Sequence, residues 1–310
     1  MERDARRAAN RRRVPAGGQV VPTVTDALAD RATHENFPVA LRLVPARYRG
    51  HLMAVYGFAR TTDDIGDQAP AGDRMRLLDE LEADLGRLYA QVGGDRSADG
   101  SPQAGQPAIA VVRALAPAVA ECGIPMQPFV DLIRANQQDQ VVSRYPTFED
   151  LLGYCRLSAN PVGRIVLHVF GSHTEQRGEL SDAICTALQL AEHWQDVAED
   201  FRAGRIYLPV QDMEYYGCTE QDLAAATAGP QLRALISFEA GRAKALLDAG
   251  GPLVGSLRGA ARAAVAGYLA GGRAALAAIA AAKYDVLPGP PVPRRSRLAS
   301  ELVAAYARGR

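Results

Sequence analysis

Two acidic clusters, Asp63-Asp64-Ile65-Gly66-Asp67 and Asp196-Val197-Ala198-Glu199-Asp200, each place carboxylates at i and i+4 within apolar, helix-forming surroundings. On a helix, residues at that spacing share a face, with Cβ atoms about 5–6 Å apart. Like charges so close repel unless a cation lies between them. Two such pairs facing each other would form a cage of hard oxygen donors. Mg²⁺ suits that cage, because it takes a few carboxylates, keeps some water and accepts phosphate oxygens from a substrate. The chemistry implied is metal-assisted handling of a diphosphate.

The neighbours of each cluster extend the pattern. Tyr56, Arg60, Asp63 and Asp67 fall at i, i+4, i+7 and i+11, one stripe of a helix expected over residues 46–67. An arginine one turn before the carboxylates presents a fork of donors to a diphosphate. Gln189, Glu192, Asp196 and Asp200 make a second stripe, on a helix expected over residues 179–203 and ended by a left-handed cap at Gly204. Arg205 and Tyr207 follow just beyond. Glu192, set among Leu188, Leu190 and Trp194, is a candidate third metal ligand from this helix, and His193 is expected to pack outside the cage. A di-iron bundle would need Glu-x-x-His on paired helices, and no glutamate here has a histidine three residues on. Ser/His/Asp and Cys/His schemes, Gly-rich dinucleotide fingerprints and P-loops have no supporting motif.

The elements that must position these residues are helical. Leu78, Leu81, Leu85 and Leu88 repeat at helical spacing with Asp79, Glu80, Glu82 and Asp84 on the other faces, and Thr147 followed by Glu149 and Asp150 reads as a helix start. Residues 260–282, mostly alanine and glycine but interrupted by Arg262 and Arg273, read as a close-packed soluble helix bent at Gly271-Gly272. Gly93–Pro107 is a low-complexity surface loop. The four prolines of Pro288–Pro293 impose an extended segment before a short basic helix at 297–307. The expectation is an all-α protein with one domain over residues 21–310, large enough at 48% hydrophobic content to bury a substantial core. Zero formal net charge argues against a nucleic-acid partner. Residues 1–20, with Arg3, Arg6, Arg7, Arg11, Arg12 and Arg13, read as a disordered basic tail, with loose attraction to an anionic membrane surface as the sharper alternative. Four scattered cysteines without a CxxC pair suit a reduced, cytoplasmic protein.

The segments FARTTDDIGD, YCRLSANPVG and LQLAEHWQDVAEDFRAGRIYLP resemble the squalene/phytoene synthase family, and the similarity runs from about Glu35 to Val286. The resemblance implies the isoprenoid synthase helical bundle and head-to-head chemistry on prenyl diphosphates. NFPVALRLVP, the QDV of the second motif and KYDVLPGP look most like the bacterial hydroxysqualene branch of hopanoid biosynthesis. It further implies Mg²⁺ at Asp63, Asp67, Asp196 and Asp200, with Asp64 the intervening acid. Arg60, Arg205 and Tyr207 correspond to diphosphate-binding positions, and Tyr56, Tyr154 and Gln189 to catalytic pocket positions. Two departures matter. Glu192 stands where many relatives have asparagine, and Gln195 where squalene and phytoene synthases usually have arginine. The second departure favours ionisation of presqualene diphosphate and capture of the cation by water, with Asn160 or Tyr154 as candidates for holding that water. Squalene, presqualene diphosphate or phytoene synthesis from farnesyl or geranylgeranyl diphosphate is the alternative. Companion enzymes of squalene synthesis and peripheral contact with the inner face of the cell membrane are the expected partners.

Overall fold

The leucine stripe at 78, 81, 85 and 88 is wholly buried, each side chain contributing about 1.5–3 kcal/mol relative to exposure. A computed structural model describes residues 45–93 and 105–308. The basic tail, most of NFPVALRLVP and most of the low-complexity loop lie outside the described residues. Within them there are fourteen helices and no strand, with a lone parallel bridge between Arg144 and Ile206.

The first layer is α1 (Ala46–Gln68), which packs on α2 (Arg74–Gly93), α3 (Ala110–Cys122) and α4 (Gln127–Gln138). Buried Asp84 on α2 accepts hydrogen bonds from the backbone N–H groups of Ala108 and Ile109, both at 2.8 Å, fixing the chain where it enters α3. Next, α5 (Phe148–Ser158) begins where Thr147 was expected to start it: Thr147 Oγ1 accepts from the Asp150 N–H while Asp150 accepts from the Thr147 N–H, a complete capping box. After α6 (Asn160–Val169) comes α7 (Glu175–Gln195), capped by Thr174. This is the central helix, lying against α6, α11 (Pro230–Gly250) and α13 (Gly259–Ala281). Short α8 (Val197–Arg202), α9 (Val210–Tyr216), α10 (Glu220–Leu223) and α12 (Pro252–Ser256) turn the chain between them. The proline segment leads to α14 (Arg295–Arg308), which packs on α13.

Helix α13 continues without a break through Gly271-Gly272, where a bend was expected. Gly272 serves packing instead, since a Cβ there would stand 2.8 Å from Leu188 Cδ2 and 3.1 Å from Leu247 Cδ2. Helix α13 is long and apolar enough to cross a membrane, yet its most apolar stretch is more than half buried within the fold.

Candidate active site

The first acidic motif occupies the C-terminal half of α1. Asp63 accepts a hydrogen bond from Asn136 Nδ2 on α4 at 3.1 Å. Gly66 makes that approach possible, because a Cβ there would run into Asn136 Oδ1 and stand 3.2 Å from its Cγ. Gln140 Nε2 donates to the Gly66 carbonyl at 3.1 Å, and Arg74 Nη2 donates to the Asp67 carbonyl at 2.8 Å. Arg60 pairs with Asp64 at 2.9 Å, one turn along. Tyr56 is buried on the same stripe.

The second motif departs from expectation. The helix begins at Glu175 rather than 179, and it does not run through to 203. It ends at Gln195, where Asp196 leaves helical geometry with φ −103° and ψ 14°, and α8 starts anew at Val197. Asp196 and Asp200 therefore do not share one helix with Gln189 and Glu192. The break has a physical reason: Asp196 is a poor helix former, although its side chain makes no cap hydrogen bond to α8. The Asp200 N–H still reaches the Asp196 carbonyl at 2.9 Å, so the two acids stay one turn apart. Gly204 adopts φ +87°, the left-handed cap expected.

That cap turns the chain so that Arg205 faces back. Its N–H donates to the Asp200 carbonyl at 2.8 Å, and its Nη2 meets Asp67 Oδ1 of the first motif at 3.1 Å. Arg205 thus links the two acidic motifs, its guanidinium on Asp67 and its backbone N–H on the Asp200 carbonyl. Asp63 is exposed at the surface, yet the protein around its carboxyl strips part of its water. Burial pushes its carboxyl up to about 6, opposed by the Asn136 hydrogen bond and reinforced by Asp67. Burial and then Asp196 push Asp200 up to about 7, against the pull of Arg205, and Asp196 is itself raised by burial and Glu199. Glu192 is exposed and close enough to add to the rise at Asp200. A cluster of carboxylates that resists full ionisation is short of positive charge. Among the described residues no three His, Cys, Asp or Glu side chains are gathered tightly enough to grip a metal alone.

Below the carboxylates lies an aromatic layer. Tyr207 stacks on His193 with ring centroids 3.6 Å apart, and Tyr145 and Tyr154 lie 5.8 Å and 5.7 Å from Tyr207. His193 packs as expected but not away from the acids, since its Nδ1 is 4.0 Å from Asp200. Burial, with Arg205 adding, drives its pKa down to about 3, so the ring is neutral. Gln189 Nε2 is 3.2 Å from His193 Nε2.

Asp139, one residue past α4, is a site residue that the motifs did not reveal. Its Oδ2 accepts from Tyr154 OH at 2.8 Å, and its Oδ1 is buried with no hydrogen-bond partner. Burial raises it to about 6, against the Tyr154 bond and Arg205 and with help from Asp67 and Asp63. In the sequence Asn136, Asp139 and Gln140 fall at i, i+3 and i+4, but within a run of five polar residues that masks the spacing. Asn160 is not placed as a free polar neighbour of the pocket, because it is buried and its Oδ1 accepts from Thr186 Oγ1 at 2.8 Å. Gln195 points to the C-terminal segment, where its Nε2 donates to the Pro291 carbonyl at 2.7 Å.

Comparison with known proteins gives this geometry its context. The chain is 36% identical to hydroxysqualene synthase of Rhodopseudomonas palustris over 242 residues, 76% of each chain. It is 37% identical to hydroxysqualene synthase of Zymomonas mobilis over 218 residues, 69% of this chain and 67% of that one. The crystal structure of squalene synthase HpnC from Alicyclobacillus acidocaldarius matches with a TM-score of 0.73 at 40% identity, covering 85% of this chain and 97% of that one. Residues 30–298 match the family described as squalene/phytoene synthase, and they span both acidic motifs, the Arg205 turn and the aromatic layer. The chain belongs to the squalene/phytoene synthase family.

Proposed function

We propose that this enzyme ionises presqualene diphosphate and lets one water capture the cation, releasing hydroxysqualene and diphosphate. The observation that carries the reading is the meeting of both acidic motifs at Arg205, above a closed layer of tyrosines and a neutral histidine. Asp63, Asp67, Asp196 and Asp200, with Asp64 and Glu192 beside them, are the residues that would hold Mg²⁺. When bound there, the metal offsets the charge that develops on the leaving diphosphate.

The chain's own groups do the rest. Arg60 and Arg205 orient the diphosphate and stabilise it as the C–O bond breaks. Tyr56, Gln189 and Tyr207 line the passage below. The faces of Tyr154 and Tyr207 stabilise the allylic cation, and the apolar walls keep out all but the reacting water. Tyr154 OH and Asp139 hold that water. Diphosphate leaves first as the C–O bond breaks, the cyclopropyl ring of the cation then opens, and as the water oxygen bonds to the resulting cation its proton passes to the unpartnered Asp139 Oδ1. Two farnesyl diphosphates would need a second anion site, and Gln195, occupied with Pro291, does not offer one. Four free thiols accord with a reducing, cytoplasmic setting, and a C30 alcohol product accords with work close to the membrane.

Incubation with presqualene diphosphate in ¹⁸O-labelled water tests the reaction. Labelled hydroxysqualene without NADPH is expected. Unlabelled product, or squalene formed only when NADPH is added, transfers the site to the squalene synthase reading. Asp139→Asn should leave substrate binding intact while slowing turnover by roughly 10²-fold.

A further inference from the structure

A cavity of about 980 Å³ lies between α11, α13 and the C-terminal segment, and none of the proposed site residues lines it. That volume is at the upper end for small-molecule sites. Its floor is made of small groups: Ala240 and Gly241 on α11, and Ala274, Ala277, Ala278 and Ala281 on α13. Side chains this short leave hydrocarbon-lined space that a core would otherwise fill. Pro291 and Val292 stand at one rim, with Val292 largely exposed. Pro291 brings no N–H that would need a partner beside an apolar ligand. It is held in place, since Gln195 donates to its carbonyl.

The charges on the lining are uneven. Lys244, Arg273, Arg294 and Arg297 face two acids, Asp248 and Glu301. Asp248 already pairs with Lys244 and Arg273, and Glu301 with Arg297. Arg273 Nη2 is held by Asp248 at 3.0 Å, but its Nη1 is buried without any hydrogen-bond partner. A buried guanidinium N–H left without an acceptor is unfavourable, and a phosphate oxygen is the acceptor its geometry fits best.

We propose that this cavity binds a hydrocarbon chain with a phosphate head, the head on Arg273 beside Lys244 and Arg294 and the chain over the alanine floor. Such a ligand is either a prenyl phosphate or an acyl phospholipid. The site is separate from the reaction centre and does not depend on which product is formed.

The probe is dodecyl phosphate carrying a diazirine at the chain end, cross-linked to the full-length protein and mapped by peptide mass spectrometry. Label is expected in residues 274–282 and 291–297. Gly241→Phe fills the cavity, and a Cβ there meets nothing within 4 Å, so the helix should accept it. This variant should cut labelling of those peptides by at least about tenfold without changing label at the acidic motifs. Arg273→Gln, which adds no bulk, should weaken the probe by roughly tenfold as well. Competition by farnesyl phosphate or by phosphatidylglycerol vesicles then assigns the source as prenyl or acyl. Labelling no greater than with the uncharged dodecanol analogue, or labelling that survives both folded variants, overturns the proposal.

Discussion

Replacing Gly66 by alanine should separate catalytic geometry from stability. The added Cβ would lie about 1 Å inside van der Waals contact with Asn136 Oδ1 and press on its Cγ at 3.2 Å. The obstacle is the end of a side chain, so Asn136 can swing away, but only by giving up its 3.1 Å hydrogen bond to Asp63. Two terms oppose each other in the folding free energy. Alanine gains about 1 kcal/mol over glycine inside a helix, while overpacking and the lost bond cost about 1–3 kcal/mol. The net destabilisation should be about 0–2 kcal/mol, a fall in Tm of a few degrees at most. Catalysis has no such compensation. Asp63 loses the contact that orients it, and displacement on the scale of 1 Å costs about 10²-fold in rate. Diphosphate release measured across a Mg²⁺ titration, with thermal unfolding of the same sample, reads both terms. Wild-type turnover at unchanged Mg²⁺ demand would show that the α1–α4 contact does not set the geometry of Asp63. Wholesale unfolding would show that Asn136 cannot yield.

Asp63→Ala or Asp196→Ala should abolish turnover while the metal-free protein melts at or above the wild-type temperature, because each removes a desolvated carboxylate that repels its neighbours; activity retained with Mg²⁺ in either variant would contradict the metal assignment. Glu192→Asn should raise the Mg²⁺ concentration needed for half-maximal rate without changing the product, and an unaltered titration would place Glu192 outside the metal's reach. Glu239, wholly buried on α11, is pushed up to about 8 by burial, opposed by Arg242 and aided by Asp212. Its proton is therefore kept by the folded chain after the unfolded chain has released it near 4.5. Stability should fall as pH rises from about 4.5 to about 8 and level off above that. Glu239→Gln should flatten this part of the Tm–pH curve; parallel curves for the two proteins would refute the assignment.

Local periodicity was enough to order the first acidic stripe. Tyr56, Arg60, Asp63 and Asp67 share a face because 3.6 residues per turn is a property of the backbone, and the leucine stripe of α2 follows the same rule. Caps were equally legible, since Thr147 and Gly204 act on backbone groups only a few residues away. Where two local preferences competed, reading the sequence failed. The apolar run through Trp194 and Val197 argued for one long helix, whereas Asp196 breaks it into two. The Gly271-Gly272 pair carries intrinsic flexibility, and what the fold adds is that the room left at Gly272 is taken by Leu188 and Leu247.

Residue types and spacing by themselves determined that this protein is helical, that it carries two carboxylate pairs, and that arginines stand near each. Only the tertiary structure decided that the pairs meet. Arg205 reaches Asp67 across 138 residues of sequence, a contact no local rule could supply, because it depends on how α1, α4 and α7 pack. Asp139 became visible for the same reason. In sequence it is one polar residue in a glutamine-rich run, and in the fold it is a buried carboxylate held by Tyr154 from another helix. Its altered acidity comes from lost water, from the Tyr154 hydrogen bond and from charges on two other segments, α1 and the Arg205 turn, and those quantities exist only once the chain has closed around it.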